Sequence, residues 1–232
     1  MIVDVIIPAL NEAESIGHVL EGLMSIESKP FRRIIVVDNG STDETASLAR
    51  AGGACVVNEG RRGYGQACLT GLAALADDPP EVVLFVDGDG ADDPRDIPLV
   101  LAPILAGTAA FVVGSRTRGP IEPGALTFVQ HFGNLLSCRL VHLFFGVQFT
   151  DLGPLRAIRW SSLQALDMQD TNFGWTVEMQ VKAARRGVSS TEVPVRCRRR
   201  YAGESKVSGT VKGSIKAGVK ILYTIAREAL HR

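Results

Sequence analysis

Short, almost uninterrupted runs of Val and Ile, separated by stretches of helical periodicity, most constrain what this chain can fold into. Val3 to Ile7 precedes a helical stretch over Ser15 to Ile26, Ile34 to Val37 precedes Thr42 to Arg50, and Ala54 to Val57 precedes Gly65 to Ala76. Val82 to Val86 and Phe111 to Val113 continue the series. Strands without polar alternation are buried on both faces, and the helices between them serve as crossovers. The first half therefore predicts an α/β fold with a mostly parallel sheet covered on both sides. Ligands of such sheets sit beyond the carboxyl ends of the strands, so the residues after each run matter most.

Three of those ends are polar. "VIIPALNEAES" leaves its strand at Pro8, "IIVVDNGSTDET" at Asp38 and "VVLFVDGDGADDP" at Asp87. Asn11 with Glu14, and Ser41 with Glu44, have the spacing of capping boxes for the helices that follow. Asp38 and Asp87 ask for more, because a carboxylate ending a buried strand must find a partner. Asp87 and Asp89 flank Gly88, whose missing side chain lets a ligand approach the backbone. Two carboxylates so close repel unless a cation lies between them, and Mg²⁺ or Mn²⁺ held by few carboxylates plus substrate phosphates matches the pattern. Such an ion can hold a nucleoside diphosphate as a leaving group. The competing reading is an acidic surface turn, since Asp92, Asp93 and Asp96 follow.

The second half is less regular. Leu126 to Phe145 reads as an apolar helix, Thr150 to Arg159 as a turn-rich link, Phe173 to Arg186 as a helix ended by Gly187, and Ser190 to Arg196 as a strand. Of 25 basic and 25 acidic residues, 12 basic and 3 acidic ones lie from Arg185 onward, so a basic tail follows an acidic body. The body suits a metal or sugar site and the tail a phosphate or an anionic surface. Nucleic acid is a poor partner, because Tyr201 and Tyr223 are too few aromatics for a stacking platform. A hydrophobic content of 46% excludes disorder. Cys55, Cys68, Cys138 and Cys197 form no CxxC pair, so neither zinc nor disulfides are expected and a reducing cytoplasm is. Asp4 in the first strand and the lack of a basic leader argue against a secretory signal, and no apolar run is long enough to span a bilayer.

Six motifs in order, "VIIPALNE", "VVDNGSTDET", "NEGRRGYGQA", "VDGDGADDP", "VVGSR" and "RYAGESK", resemble the family 2 glycosyltransferases. The likeness is strongest to the polyprenyl-phosphate hexosyltransferases related to dolichyl-phosphate mannose synthase, and it runs from Val3 to Lys206. It implies a glycosyltransferase A-type fold, a UDP- or GDP-sugar donor, Mg²⁺ or Mn²⁺, and inverting transfer of a hexose. The implied acceptor is polyprenyl phosphate, or otherwise a small soluble hydroxylated molecule. By position, Pro8, Ala9, Asn11 and Glu12 would line the nucleoside pocket, with Gly63 and Gln66 beside the nucleotide. Asp38 would bond the base, Asp87 would face the ribose or the metal, and Asp89 would be the main metal ligand.

Ser115 and Arg116 match a place where the relatives hold a phosphate, and a guanidinium there could pair with it bidentately. Arg200, Ser205 and Lys206 match a loop that closes on the donor diphosphate, with Gly203 as its hinge. Asp151 in "TDLGPLRA" lies where inverting relatives carry a carboxylate near the reacting centre, and Glu178 is the second candidate. A hydroxyl acceptor needs a general base, whereas a phosphate is already ionised, so Asp151 is either base or positioning residue. Capping, or pairing with Arg156, is the structural alternative. Three departures weigh against the lipid-phosphate assignment: Ala91 where relatives often place a further metal ligand, Gly153 and Pro154 where they often carry Ser and Gly, and no basic residue beyond His131 in "VQHFGN".

The implied catalytic domain covers 1–206, and 207–232 reads as a basic amphipathic helix. Lys212, Lys216 and Lys220 recur beside an apolar stripe of Val211, Ile215, Val219 and Leu222. This helix can lie peripherally on an anionic membrane, or pack on the body or on a second copy in a homo-oligomer. Two other classes compete. A sugar-1-phosphate nucleotidyltransferase needs a basic loop after the first strand, where "PALNEAES" has no Lys or Arg. A non-catalytic nucleotide-sugar-binding protein would keep the pocket without the chemistry.

Overall fold

The computed structural model describes residues 1–27, 31–203 and 211–230. The first half alternates as its apolar runs dictate: β1 (Val3–Ala9), α1 (Ala13–Met24), β2 (Phe31–Asp38), α2 (Thr45–Ala51), β3 (Cys55–Asn58), α3 (Tyr64–Leu75) and β4 (Val82–Phe85). Then come α4 (Ile97–Leu105), β5 (Phe111–Ser115), α5 (Phe128–Phe145), β6 (Arg156–Arg159), α6 (Trp160–Leu166), α7 (Trp175–Arg185), β7 (Ser190–Pro194) and α8 (Val211–Leu230). One sheet collects the strands in the order β3-β2-β1-β4-β6-β5-β7. All neighbouring pairs are parallel except those made by β6, which runs antiparallel to β4 and β5.

The chain leaves β1 in one direction through β2 and β3 and returns on the other side of β1 to form β4. Strand order therefore reverses between β1 and β4, which opens a crevice at their carboxyl ends. Side-chain alternation divides the core into two layers. Val3, Val5, Ile7 and Ala9 of β1 face the layer formed with α1, α2 and α4, while Ile6 faces the layer formed with α3, α6 and α7. A fully buried aliphatic side chain contributes about 1.5–3 kcal/mol. β1 buries five of them at 3% exposure or less, counting Ala9 in and Asp4 out, and so anchors both layers. Its one charge, Asp4, is fully buried and meets both Arg32 and Arg33 at 2.7 Å. Burial pushes the Asp4 carboxyl up, but the two guanidiniums outweigh it and hold the group below its ordinary range.

Several expectations are corrected. The turn-rich link over Thr150 to Arg159 contains a central strand, β6, inserted between β4 and β5. The capping boxes do not form: α1 and α2 begin after Glu12 and Glu44, and neither cap residue's side chain accepts from a backbone N–H of its helix. Instead the two strand-end loops join each other. Asn11 N donates to Ser41 Oγ at 2.9 Å and Thr42 N to Asn11 Oδ1 at 2.8 Å. Asp43 accepts from the first amide of each helix, Ala13 N at 3.2 Å and Thr45 N at 3.0 Å, an anion shared by two positive helix ends.

The last helix packs on the body. Ile225 enters the core, Arg185 pairs with Glu228 at 2.9 Å, and Lys220 pairs with Asp170 at 2.7 Å. Lys220 is thus held inward instead of completing a solvent-facing basic stripe. The side chains of Val211, Lys212 and Ile215 lie outside those described, while Val219 and Leu222 are exposed.

Candidate active site

A cleft of about 840 Å³ opens where β1 and β4 end. Pro8, Ala9 and Glu12 line it from the β1 end, Asp87, Gly88 and Asp89 from the β4 end, and Gly63 and Tyr64 from the start of α3. Gly63 has φ +153 and donates its N–H to Asn39 Oδ1 at 2.7 Å, so the loop ending β2 shapes the loop entering α3. Asn39, next to the expected Asp38, lines the cleft instead of it. Asp38 accepts from Ser41 N at 3.1 Å, Asn11 is engaged with the 41–42 loop, and Gln66 is buried against Glu59 at 2.8 Å. These three expected nucleotide contacts shape the wall from behind and do not line the cleft.

Acids concentrate on this side. Asp87 accepts from the Tyr64 hydroxyl at 3.0 Å, and its backbone N–H donates to Asp92 at 3.1 Å. Burial, then the Asp89 and Asp92 charges, push the Asp87 carboxyl well above its ordinary range. Burial likewise pushes Asp92 up to about 7. A cation relieves such crowding. Among the described residues no three His, Cys, Asp or Glu side chains converge into a protein-only metal cage. The donor set, Asp87 and Asp89 with Ala91 after them, therefore fits a hard divalent ion that takes much of its shell from substrate oxygens and water. A guanidinium already meets this turn: Arg200 bonds Asp89 Oδ2 at 2.8 Å and both Glu12 oxygens at 2.6 Å. Its segment is strapped over the turn by Arg198 N to Ala91 O and Tyr201 N to Asp89 O, and Tyr201 stacks on His18 at 4.1 Å between centroids. Ser205 and Lys206, expected in the same loop, lie outside the described residues.

Across the cleft stands Arg116. Asp151 accepts from Arg116 N, Nε and Nη2, each at 2.8 Å, and is fully buried. Burial opposes the Arg116 charge, but Asp151 outweighs it and raises the guanidinium's pKa. Asp151 is built into place from three sides. Glu192 accepts its N–H at 3.1 Å, Gln180 donates to its carbonyl at 2.9 Å, and Asn134 bonds Thr150 O and Leu152 N around it. The pairing with Arg156 does not occur: Arg156 is buried and donates to the carbonyls of Leu152, Gly153 and Thr176. Ser115 is fully buried, 2.7 Å from the Thr150 hydroxyl, and does not line the cleft. Glu178 does not reach it either. That carboxylate accepts from Asp170 N at 2.8 Å and pairs with Lys182 at 2.9 Å and Arg227 at 3.2 Å, tying α7 to α8.

The end of the cleft beside Arg116 is completed by Thr117, Gln130, His131 and Asn134, with Ala217, Gly218 and Ile221 of α8. Sequence reasoning did not single out Tyr64, Asn39 or the α8 residues. Tyr64 lies within "NEGRRGYGQA" and Asn39 within "VVDNGSTDET", so both were within reach. The α8 contacts join residues far apart in the chain and carry no local mark.

Comparison with known proteins agrees with this geometry. The profile described as Glycosyl transferase family 2 matches residues 4–169. An uncharacterized glycosyltransferase of Mycobacterium tuberculosis is 36% identical over 215 residues, covering 93% of this chain and 94% of that one. The undecaprenyl-phosphate mannosyltransferase of Micrococcus luteus is 29% identical over 228 residues, covering 92% and 90%. Among solved structures, glucosyl-3-phosphoglycerate synthase from Mycobacterium tuberculosis, crystallised with Mn²⁺, UDP-glucose and phosphoglyceric acid, superposes with a TM-score of 0.79 at 21% identity, over 98% of this chain and 79% of that one. That likeness establishes the glycosyltransferase A-type fold.

Proposed function

The chain belongs to glycosyltransferase family 2, and from that premise we propose that it moves a hexose from a UDP- or GDP-sugar to polyprenyl phosphate, with inversion at the anomeric carbon. The nucleotide lies along Pro8, Ala9, Glu12, Gly63 and Gly88, and the diphosphate lies between the acidic turn and Arg200. Asp87 and Asp89 hold Mg²⁺ or Mn²⁺, which when bound offsets diphosphate charge. Arg200 exchanges its carboxylates for the leaving group, so a cation already stationed at the turn meets the negative charge that develops there. The metal reading is supported by the crowded acids, and by the Mn²⁺ and UDP-glucose with which the structurally similar synthase was crystallised.

One observation carries the choice of acceptor: Asp151, the candidate base, is fully buried and engaged three times by Arg116. Asp151 itself does not line the cleft, and the carboxylates that do, Glu12, Asp87, Asp89 and Asp92, belong to the donor side. An ionised phosphate needs no base, only a cation that aims it at the sugar, and Arg116 fixed by Asp151 is such a cation. The Micrococcus luteus relative, named for an undecaprenyl-phosphate substrate, supports the same reading. The protein then works in the cytoplasm, peripheral to the membrane; among the described residues no helix is long and apolar enough to cross it.

A second reading, transfer to a small soluble hydroxylated acceptor, is favoured by His131, an imidazole lining the acceptor end that could take a hydroxyl proton. Mass-spectrometric transfer assays pairing UDP- and GDP-sugars with undecaprenyl phosphate and with soluble acceptors separate the two. A lipid phosphate heavier by one hexose supports the first reading. Transfer confined to soluble acceptors, lost in His131→Ala, replaces it with the second.

A further inference from the structure

The loop between α6 and α7 stands between the last helix and the turn that opens α3. Gly63, the cap residue of α3, has no side chain with which to accept a first-turn amide, and the start of a helix leaves those amides without partners inside it. The acceptor comes from elsewhere: Gln66 N donates to Thr171 O at 2.9 Å. A methyl group on Gly63 would strike Thr171 O, and one on Gly65 would strike Asp170 O and Asn172 N, so the 170–172 backbone lies directly against the 63–65 turn. That turn forms part of the cleft wall through Gly63 and Tyr64, and Asn172 and Phe173 line the cleft as well.

One carboxylate sets the shape of this loop. Asp170 is 2% exposed, and its Oδ1 accepts from Asn172 N at 2.8 Å and Gly174 N at 3.2 Å, which folds the loop around its own side chain. Its Oδ2 is held by α8, where Lys220 Nζ approaches to 2.7 Å and Thr224 Oγ1 to 3.5 Å. Gly174 fits against Asp170 Oδ2 and Thr224 Oγ1 with no room for a methyl group. A buried carboxylate that loses its cation is driven toward water, and the amides it orders go with it. We propose that Asp170 is a positioning residue for the donor nucleotide: braced by Lys220 of α8, it presses residues 170–172 against the Gly63 turn, so the last helix fixes part of the nucleotide wall. That the wall binds a nucleotide rests on the reading above; the brace does not.

Two measurements on the full chain test this: calorimetric titration with UDP and with GDP in the presence of Mn²⁺, and amide hydrogen exchange of the unliganded protein. Lys220→Met should weaken nucleotide binding about tenfold, a size typical of coupled sites, and speed exchange of the Gln66 amide. Lys220→Arg should restore most of both, since it returns a cation to Asp170. Arg185→Met is the control for a loosened helix, because Arg185 meets Glu228 at 2.9 Å, about 12 Å further along α8. It should lower the melting temperature while leaving nucleotide affinity and Gln66 exchange near those of wild type. Unchanged Gln66 exchange in Lys220→Met overturns the proposal, as does unchanged affinity for a nucleotide that wild type binds. So do equal losses in Lys220→Met and Arg185→Met, which would mean that the pair only stabilises the helix. If wild type binds neither nucleotide, the donor reading falls, and faster Gln66 exchange in Lys220→Met would show that the brace stands without it.

Discussion

Replacing Asp151 by Ala distinguishes a positioning residue from a base, and the structure sets the size of the effect. The substitution removes three acceptor contacts of 2.8 Å and leaves the Arg116 guanidinium, 23% exposed, without its counter-charge. Breaking a buried pair costs about 3–5 kcal/mol, and because Arg116 can turn partly toward water the lower figure, about 3 kcal/mol, is expected in urea denaturation. Turnover, followed as nucleoside diphosphate released with lipid acceptor, should fall about 10²–10³-fold, as when one fixed donor to a reacting oxyanion is lost. Arg116→Ala should cost a similar factor. If Asp151 acts only by holding Arg116, the double variant should be no slower than the slower single one, to within about 0.5 kcal/mol. A base would behave otherwise. The two losses would then multiply, and Asp151→Ala would erase the acidic limb of the pH–rate profile. Either result would refute the positioning role.

Other expectations follow from the same geometry. Asp89→Ala should abolish Mn²⁺-dependent donor turnover with the fold intact, and Mn²⁺ plus nucleotide should raise the melting temperature of wild type but not of the variant; undiminished turnover would remove Asp89 from the metal site. Asp4→Asn should cost about 3 kcal/mol at neutral pH, because it leaves Arg32 and Arg33 facing a buried neutral group. The Asp4 carboxyl is held below 3.8, so its contribution is present above that pH and lost as pH falls through its lowered folded value. The gap between wild type and variant in denaturation midpoint should therefore close in acid, and a constant gap would contradict the pairing. Gly65→Ala should destabilise by about 3 kcal/mol, since a methyl group there runs into the Asp170 carbonyl and the Asn172 amide; an unchanged melting temperature would show that the 170–172 loop yields freely.

What could be read from the sequence was local. The strand ends at Pro8 and Asp87 lie in the cleft because a Val- and Ile-rich run fixes where a buried strand stops, and the acids after Asp87 cluster by adjacency. β6 escaped notice because it is four residues long with an Arg at each end. Arg156 reads as a surface residue, yet it is 1% exposed and its two terminal nitrogens donate to three carbonyls that no spacing rule reveals. α4 was obscured by Pro98 at its first turn and by Pro103 inside it. Asn11 and Ser41 had capping spacing, but each found a better partner in the other's loop, a contact across 30 residues. Arg200 and Glu12 are 188 residues apart, and Arg116 and Asp151 are 35 apart. The motifs marked these residues as functional; the folded sheet decides which touches which.

The most direct test is a crystal structure determined with Mn²⁺ and a nucleoside diphosphate. The ion should lie against the Asp87 and Asp89 carboxylates, the diphosphate beside Arg200, and the nucleoside against Pro8 and Glu12. Ion and nucleotide bound together outside this cleft would contradict the proposed donor site and the chemistry built on it.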